Sequence, residues 1–310
     1  MDGIPNFSDS LIERSEIDSC PFPHFVCDGI FDKNILNLID QNWPAVDLFN
    51  ETGLAGNAMF LFSSGWNSLT NNQQAFWHEL CCHQLKRIYE LTFQKYYKFY
   101  VNKYGELLKH INVHVRLMEM HSNFIDHEIH THHWHDPCWL FTNLIYIDET
   151  HDVLPGTTLF GTPRAINFNE QAKIAAQTLI WEDMEEDVIP TKTIEYQSNR
   201  MLSFIDCPVS YHGVLESQKK PATRSRRVIR CHAAAPLDLI PKLYDMEPEE
   251  YRLHRRRASK KLLVIDMLEK EITSLFQSSF LNETSGFSDR IRKITMTLDV
   301  PKYNRIGCRS

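Results

Sequence analysis

Ile129-His-Thr-His-His-Trp-His-Asp-Pro137 leads into Leu140-Phe-Thr-Asn-Leu-Ile-Tyr-Ile147. The second half of this stretch is an apolar run of strand length, rich in branched and aromatic residues. The first half crowds His130, His132, His133, His135 and Asp136 at the lip of that strand. The chain carries 15 histidines, and their clustering between His127 and His135 is more telling than the total.

Working outward, the pattern stays that of short strands. Ile111 to Met120 alternates in strand fashion, Thr157 to Phe160 follows the turn Leu154-Pro-Gly156, and Arg200 to Ile205 is a fourth run. Val209 to Leu215 and Arg226 to Ala233 complete a set of six. Such a set predicts a β-sandwich or jelly roll. Asn169 to Leu179 is a candidate helical insertion and Glu182 to Asp187 an acidic loop; together they are candidates for a lid.

The flanks are helical. Residues up to about 20 read as a loose lead-in, and Cys20 to Asp28 as an extended segment held by its prolines. Phe31 to Asp40 has helical spacing with Asp32 as a cap, and Asn71 to about Tyr104 is the longest helical pattern. Pro248 to Phe276 reads as one or two amphipathic helices, Pro248 suiting a first turn. Its basic run, Arg255 to Lys261, fits a solvated face, or alternatively a partner surface. The expected class is α+β with a mainly β core. A helical part over 1–109 packs on a jelly-roll core over 110–236, and a helical extension over 237–310 offers a route to a homodimer.

Bulk properties narrow the field. A chain of 310 residues buries a sizeable core. Net charge −7 argues against a general grip on nucleic-acid phosphates. No apolar run is long enough for a spanning helix, and the acidic start is unlike a secretory signal, so a cytoplasmic protein is expected. The eight cysteines are scattered without a Cys-x-x-Cys pair, as free thiols in a reducing compartment would be.

The chemistry lies in the histidines. Ligands two residues apart on an extended segment project from the same side, and a third ligand can come from a strand across the sandwich. His212, in Ser210-Tyr-His-Gly213, is that distant candidate, and the arginines from Arg224 to Arg230 follow it. Imidazoles, a distant His and a later Arg are the parts of a mononuclear iron site with open coordination positions.

The order of motifs resembles the Fe(II)/2-oxoglutarate-dependent dioxygenases over about residues 21–235. The likeness rests on His133-Trp-His135, Thr142-Asn-Leu-Ile-Tyr146, Pro155-Gly-Thr-Thr-Leu159, Asn199-Arg-Met-Leu-Ser-Phe204, Tyr211-His-Gly-Val214 and Arg226-Arg-Val-Ile229. The opening Pro21 to Phe31 resembles that group as well. The resemblance implies a jelly-roll core and Fe(II) with 2-oxoglutarate as cofactors. It also implies hydroxylation of a small-molecule or peptide substrate, with succinate and CO2 as co-products.

One departure stands out: the usual His-x-Asp pair is missing from this stretch. The leading expectation is a three-His set of His133, His135 and His212. Asp136 in place of His135 is an alternative, and so is a pairing that starts at His130 or His132. Three neutral imidazoles leave a dication, which attracts an anionic co-substrate more strongly than a carboxylate-bearing site does. The keto acid's far carboxylate calls for an arginine fork. Arg227 and Arg226 both qualify, with Arg227 preferred because it shares a face with Ile229 and Cys231. Tyr146 and Thr142 are expected to line the same pocket, with Asn143, Arg116 and His232 as weaker candidates. The rival readings are a three-His dioxygenase that does not use 2-oxoglutarate, a zinc hydrolase, and a catalytically silent jelly-roll interaction module.

Overall fold

The computed structural model describes residues 8–49, 51–53, 56–61, 64–96, 112–120, 127–130, 138–148, 156–161, 188–206, 210–214, 226–235, 242 and 247. The lead-in holds a helix, α1 (Ser8–Arg14), where a loose segment was expected; Ile12 anchors it in the core. β1 (His24–Asp28) falls within the expected extended segment. In α2 (Lys33–Gln41) the Asp32 carboxylate accepts the Ile35 N–H at 2.9 Å, satisfying one of the donors that a helix start leaves open. Ile35, Leu36 and Ile39 turn inward from this helix.

β2 (Glu51–Gly53) and β3 (Gly56–Phe60) form a hairpin. α3 (Asn71–Leu80) starts with a reciprocal capping box between Thr70 and Gln73. It runs through a π-helical turn, Cys81–Leu85, into α4 (Lys86–Tyr96). The expected long helix is therefore continuous to Tyr96 with its register shifted once; residues 97–111 lie outside the described set. Ile88, Leu91, Tyr89, Phe93 and Tyr96 make the buried face of α4, as the spacing predicts.

The remaining strands are β4 (Asn112–Met120), β5 (His127–His130), β6 (Cys138–Tyr146), β7 (Thr157–Gly161), β8 (Ile189–Ile194), β9 (Arg200–Ile205), β10 (His212–Val214) and β11 (Arg226–Ala235). They build a seven-stranded sheet ordered β1-β9-β6-β11-β4-β3-β2 and a four-stranded sheet ordered β5-β10-β7-β8. All pairings among the described strands are antiparallel. Among the described strands from β4 onward the chain alternates between the large and small sheets, except that β7 and the next described strand, β8, are both in the small sheet. The stretch over 1–109 contributes β1, β2 and β3 to the large sheet as well as its helices.

The large sheet is covered on both faces, which explains the unbroken apolar run of β6. Phe141 points to the helices, its ring 4.8 Å from Phe93, 5.9 Å from Tyr89 and 6.1 Å from Tyr96. Asn143 is on the same side and donates to Thr92 Oγ1 at 3.3 Å. Thr142, Leu144 and Tyr146 alternate to the other side, where the Tyr146 hydroxyl donates to Thr157 of β7 at 2.8 Å. A Cβ on Gly156, at the start of β7, would lie 2.0 Å from the Ile194 carbonyl oxygen, so only glycine allows β7 and β8 to meet there.

The result is an α+β fold, rich in antiparallel strands. No helix among the described residues is long and apolar enough to cross a membrane. The expected helical insertion, the acidic loop and the C-terminal helices all lie outside the described residues.

Candidate functional site

β11 carries two different faces. Ile229, Cys231 and Ala233 pack toward the helices, while Arg226, Val228, Arg230 and His232 look between the two sheets. Arg227, preferred from the sequence, lies on the other face of the strand. Its guanidinium sits over the Trp43 ring at 5.3 Å, donates to Asp40 at 2.9 Å and approaches Glu119 at 3.7 Å, all on the helix side. The apolar neighbours that made its face look inward do face a core, but it is the helix–sheet core.

Arg226 is the inward arginine, only 4% exposed. Its Nη2 donates to Thr157 Oγ1 at 3.1 Å, and the guanidinium lies 5.1 Å from the Tyr146 ring and 5.6 Å from the Tyr196 ring. The two tyrosines stack on each other at 4.8 Å, so a flat aromatic wall fixes the cation. Burial raises the Tyr196 phenol to about 12, so it remains a neutral hydrogen-bond donor to the Arg227 carbonyl.

His212 is buried opposite. Its ring is 4.5 Å from Phe204, and Nδ1 is 2.9 Å from the Ser210 carbonyl. A carbonyl only accepts, so the proton is on Nδ1 and the lone pair on Nε2, the tautomer suited to metal ligation. β10 lies between β7 and β5, and the register partners of His212 are Leu159 and His130. His133, His135, His132 and Asp136 lie outside the described residues. Among the described residues, no three His, Cys, Asp or Glu side chains gather as a metal-binding group.

His212, Arg226, Thr157 and Arg230 line one cavity of about 360 Å³, open mouth included, with Met118, Leu144 and Val228 as apolar wall. Thr142 is set deeper than the expected pocket lining. It donates to Asp206 Oδ2 at 2.5 Å and sits 2.9 Å from His232 Nδ1. Since its proton goes to the carboxylate, Thr142 accepts from His232, which is thereby held as the Nδ1–H tautomer. Burial, then the charges of Arg230 and Arg116, keeps the His232 imidazole well below its usual range. His114, its register partner on β4, is pushed down to about 4 by burial and then by Arg116.

Asn143, a weaker candidate, faces the helices. Thr157 and Arg230 were not singled out from sequence. The signal for Arg230 was present: strand alternation from Arg226 puts Arg230 and His232 on the same face. Thr157 had none, because its role depends on a pairing across the sandwich.

No family model matches the chain. No curated protein matches it either. Among solved structures it is similar to a prolyl 4-hydroxylase from Phytophthora capsici, with 12% identity over 94% of this chain and 92% of that one, at a TM-score of 0.42. It is also similar to a prolyl-4-hydroxylase from Pseudomonas putida, with 9% identity over 74% and 99%, at 0.41. A 2OG-Fe(II) oxygenase family oxidoreductase from Burkholderia pseudomallei matches with 11% identity over 68% and 84%, at 0.39.

Proposed function

We propose that this chain is a non-haem iron oxygenase that uses 2-oxoglutarate, built on a double-stranded β-helix. The alternation of β4 to β11 between two facing sheets supports the fold reading. One observation carries the functional reading: His212 and Arg226 line the same cavity, each already oriented by a hydrogen bond.

The residues suit the groups they would hold. His212 offers Nε2 to a metal. The remaining ligands would come from the histidine-rich run, with His133 and His135 the leading pair and Asp136, or a pairing that starts at His132 or at His130, the register partner of His212, the alternatives. Arg226 would take the far carboxylate of the keto acid through its fork. The Thr157 hydroxyl accepts from both Arg226 and Tyr146, which leaves its own proton for that carboxylate. Met118, Leu144 and Val228 give the space beside Arg226 an apolar wall. When bound, Fe(II) and 2-oxoglutarate supply the oxidising chemistry, with succinate and CO2 as co-products of a hydroxylation.

The test is turnover of 2-oxoglutarate by the full-length chain in air with Fe(II). Succinate that depends on both iron and His212 supports the reading. Tight zinc retention with no succinate under any condition refutes it.

A further inference from the structure

Tyr196 stands just past the end of β8, yet it meets β11 twice. Its hydroxyl donates to the Arg227 carbonyl at 2.9 Å and accepts the Asp148 N–H at 3.1 Å, so backbone groups hold the phenol by its tip. One residue back along β11, the Arg226 guanidinium lies 5.6 Å from its ring. That ring stacks on Tyr146 at 4.8 Å, with 28° between the planes. Tyr146 in turn donates to Thr157 Oγ1, the same oxygen that accepts from Arg226. The contacts close into a circuit around the guanidinium. Arg226 and Thr157 line the cavity and neither tyrosine does, so the stacked rings back the arginine from outside it.

We propose that the Tyr196 ring is a positioning element that fixes how far Arg226 stands from the metal, and so selects the chain length of the keto acid. The inference rests on the keto-acid reading of the site. With a metal on His212 at one end and the Arg226 fork at the other, one spacing between the two acid groups fits. 2-Oxoadipate is one methylene longer than 2-oxoglutarate. A binding site tells such a difference by about 10- to 200-fold, provided its end wall does not yield. An arginine is long and rich in rotamers, and it yields unless it is packed. A ring face within about 6 Å of the guanidinium supplies that packing and attracts the charge. Tyr146 is fully buried whereas Tyr196 is partly buried, so Tyr196 is the ring that can be changed with the smaller loss of packing.

The experiment is calorimetric titration of the full-length chain loaded with Mn(II), once with 2-oxoglutarate and once with 2-oxoadipate. The ratio of the two affinities is the readout, because a general loss of structure lowers both alike. Wild type is expected to prefer 2-oxoglutarate about tenfold or more. Tyr196→Leu removes the ring that faces Arg226. It should weaken 2-oxoglutarate by about three- to tenfold while 2-oxoadipate holds or tightens, so the preference falls at least about threefold. Tyr196→Phe keeps the ring and the stack, and should keep the preference within about twofold. Tyr196→Met fills more of the space without a ring face; it is read in the same way as Tyr196→Leu and covers a loss of fold there. No binding of 2-oxoglutarate to the wild type would sink the keto-acid reading and this inference with it. With 2-oxoglutarate bound, the inference alone is overturned by a wild type that binds both acids alike, or by a preference that Tyr196→Leu and Tyr196→Met leave unchanged. An equal fall in Tyr196→Phe would also overturn it, by laying the effect on the hydroxyl's backbone ties and not on the ring.

Discussion

Arg226 and Arg227 follow one another in β11, yet Arg226 donates to Thr157 between the sheets while Arg227 donates to Asp40 beside the helices. The substitutions of these neighbours should therefore separate cleanly. Arg226→Gln is expected to weaken 2-oxoglutarate binding by about 10- to 100-fold, the worth of a buried charged hydrogen bond. Arg227→Gln should leave that affinity unchanged and cost about 1 kcal/mol of stability, through the partly exposed ion pair and the Trp43 contact. Calorimetry and denaturant titration of the two variants measure both quantities.

Thr142 links a buried carboxylate to a buried imidazole. Thr142→Val conserves shape and removes the hydroxyl that Asp206 and His232 share. A loss of about 1–3 kcal/mol is expected, seen as a lower denaturant midpoint with an unchanged slope. Thr142→Ser, which keeps the hydroxyl, should recover most of it.

The buried histidines set an acid limit on stability. His114 has its folded value lowered from 6.5 to about 4, and those of His232 and His24 are lowered as well, burial being the largest cause in each. Between pH 6.5 and 4 the unfolded chain binds protons that the folded chain does not. Stability therefore falls as pH falls through this window, by about 3 kcal/mol from His114 alone, and this contribution is flat above it. Unfolding free energies measured from pH 7.5 to 4 check the sign, and His114→Asn should flatten part of the slope.

Phe141 stands against three rings of α4 and is fully buried. Phe141→Ala should cost about 3–5 kcal/mol by opening a cavity between helix and sheet. Because that face is turned away from Arg226 and His212, 2-oxoglutarate affinity of the folded fraction should be retained.

The sequence made the strands with clear alternation or apolar runs readable: β4, β6, β7, β9, β10 and β11 all fall where the pattern predicts. Asp32 as a helix cap was equally legible, because capping is local chemistry. β5 was hidden because His127 to His130 lacks an apolar face, and β8, Ile189-Pro-Thr-Lys-Thr-Ile194, because it is a mostly exposed strand of the small sheet. The sequence left Arg226 and Arg227 open for a different reason. A strand covered on both faces has no single inward side, and its apolar face met the helices while its polar face met the cavity. Periodicity identifies the two faces of such a strand; only the tertiary arrangement says which one holds the site.

His212 and Arg226, which line one cavity, are proposed to face a common metal and keto-acid site. The most direct test is the visible absorption spectrum of the full-length chain, free of oxygen, on adding Fe(II) and then 2-oxoglutarate. A weak charge-transfer band is expected, lost in His212→Ala and in the variant of whichever of His130, His132, His133 and His135 completes the ligand set. A chain that binds Fe(II) but shows no band with 2-oxoglutarate, or a band that survives His212→Ala, would contradict the claim.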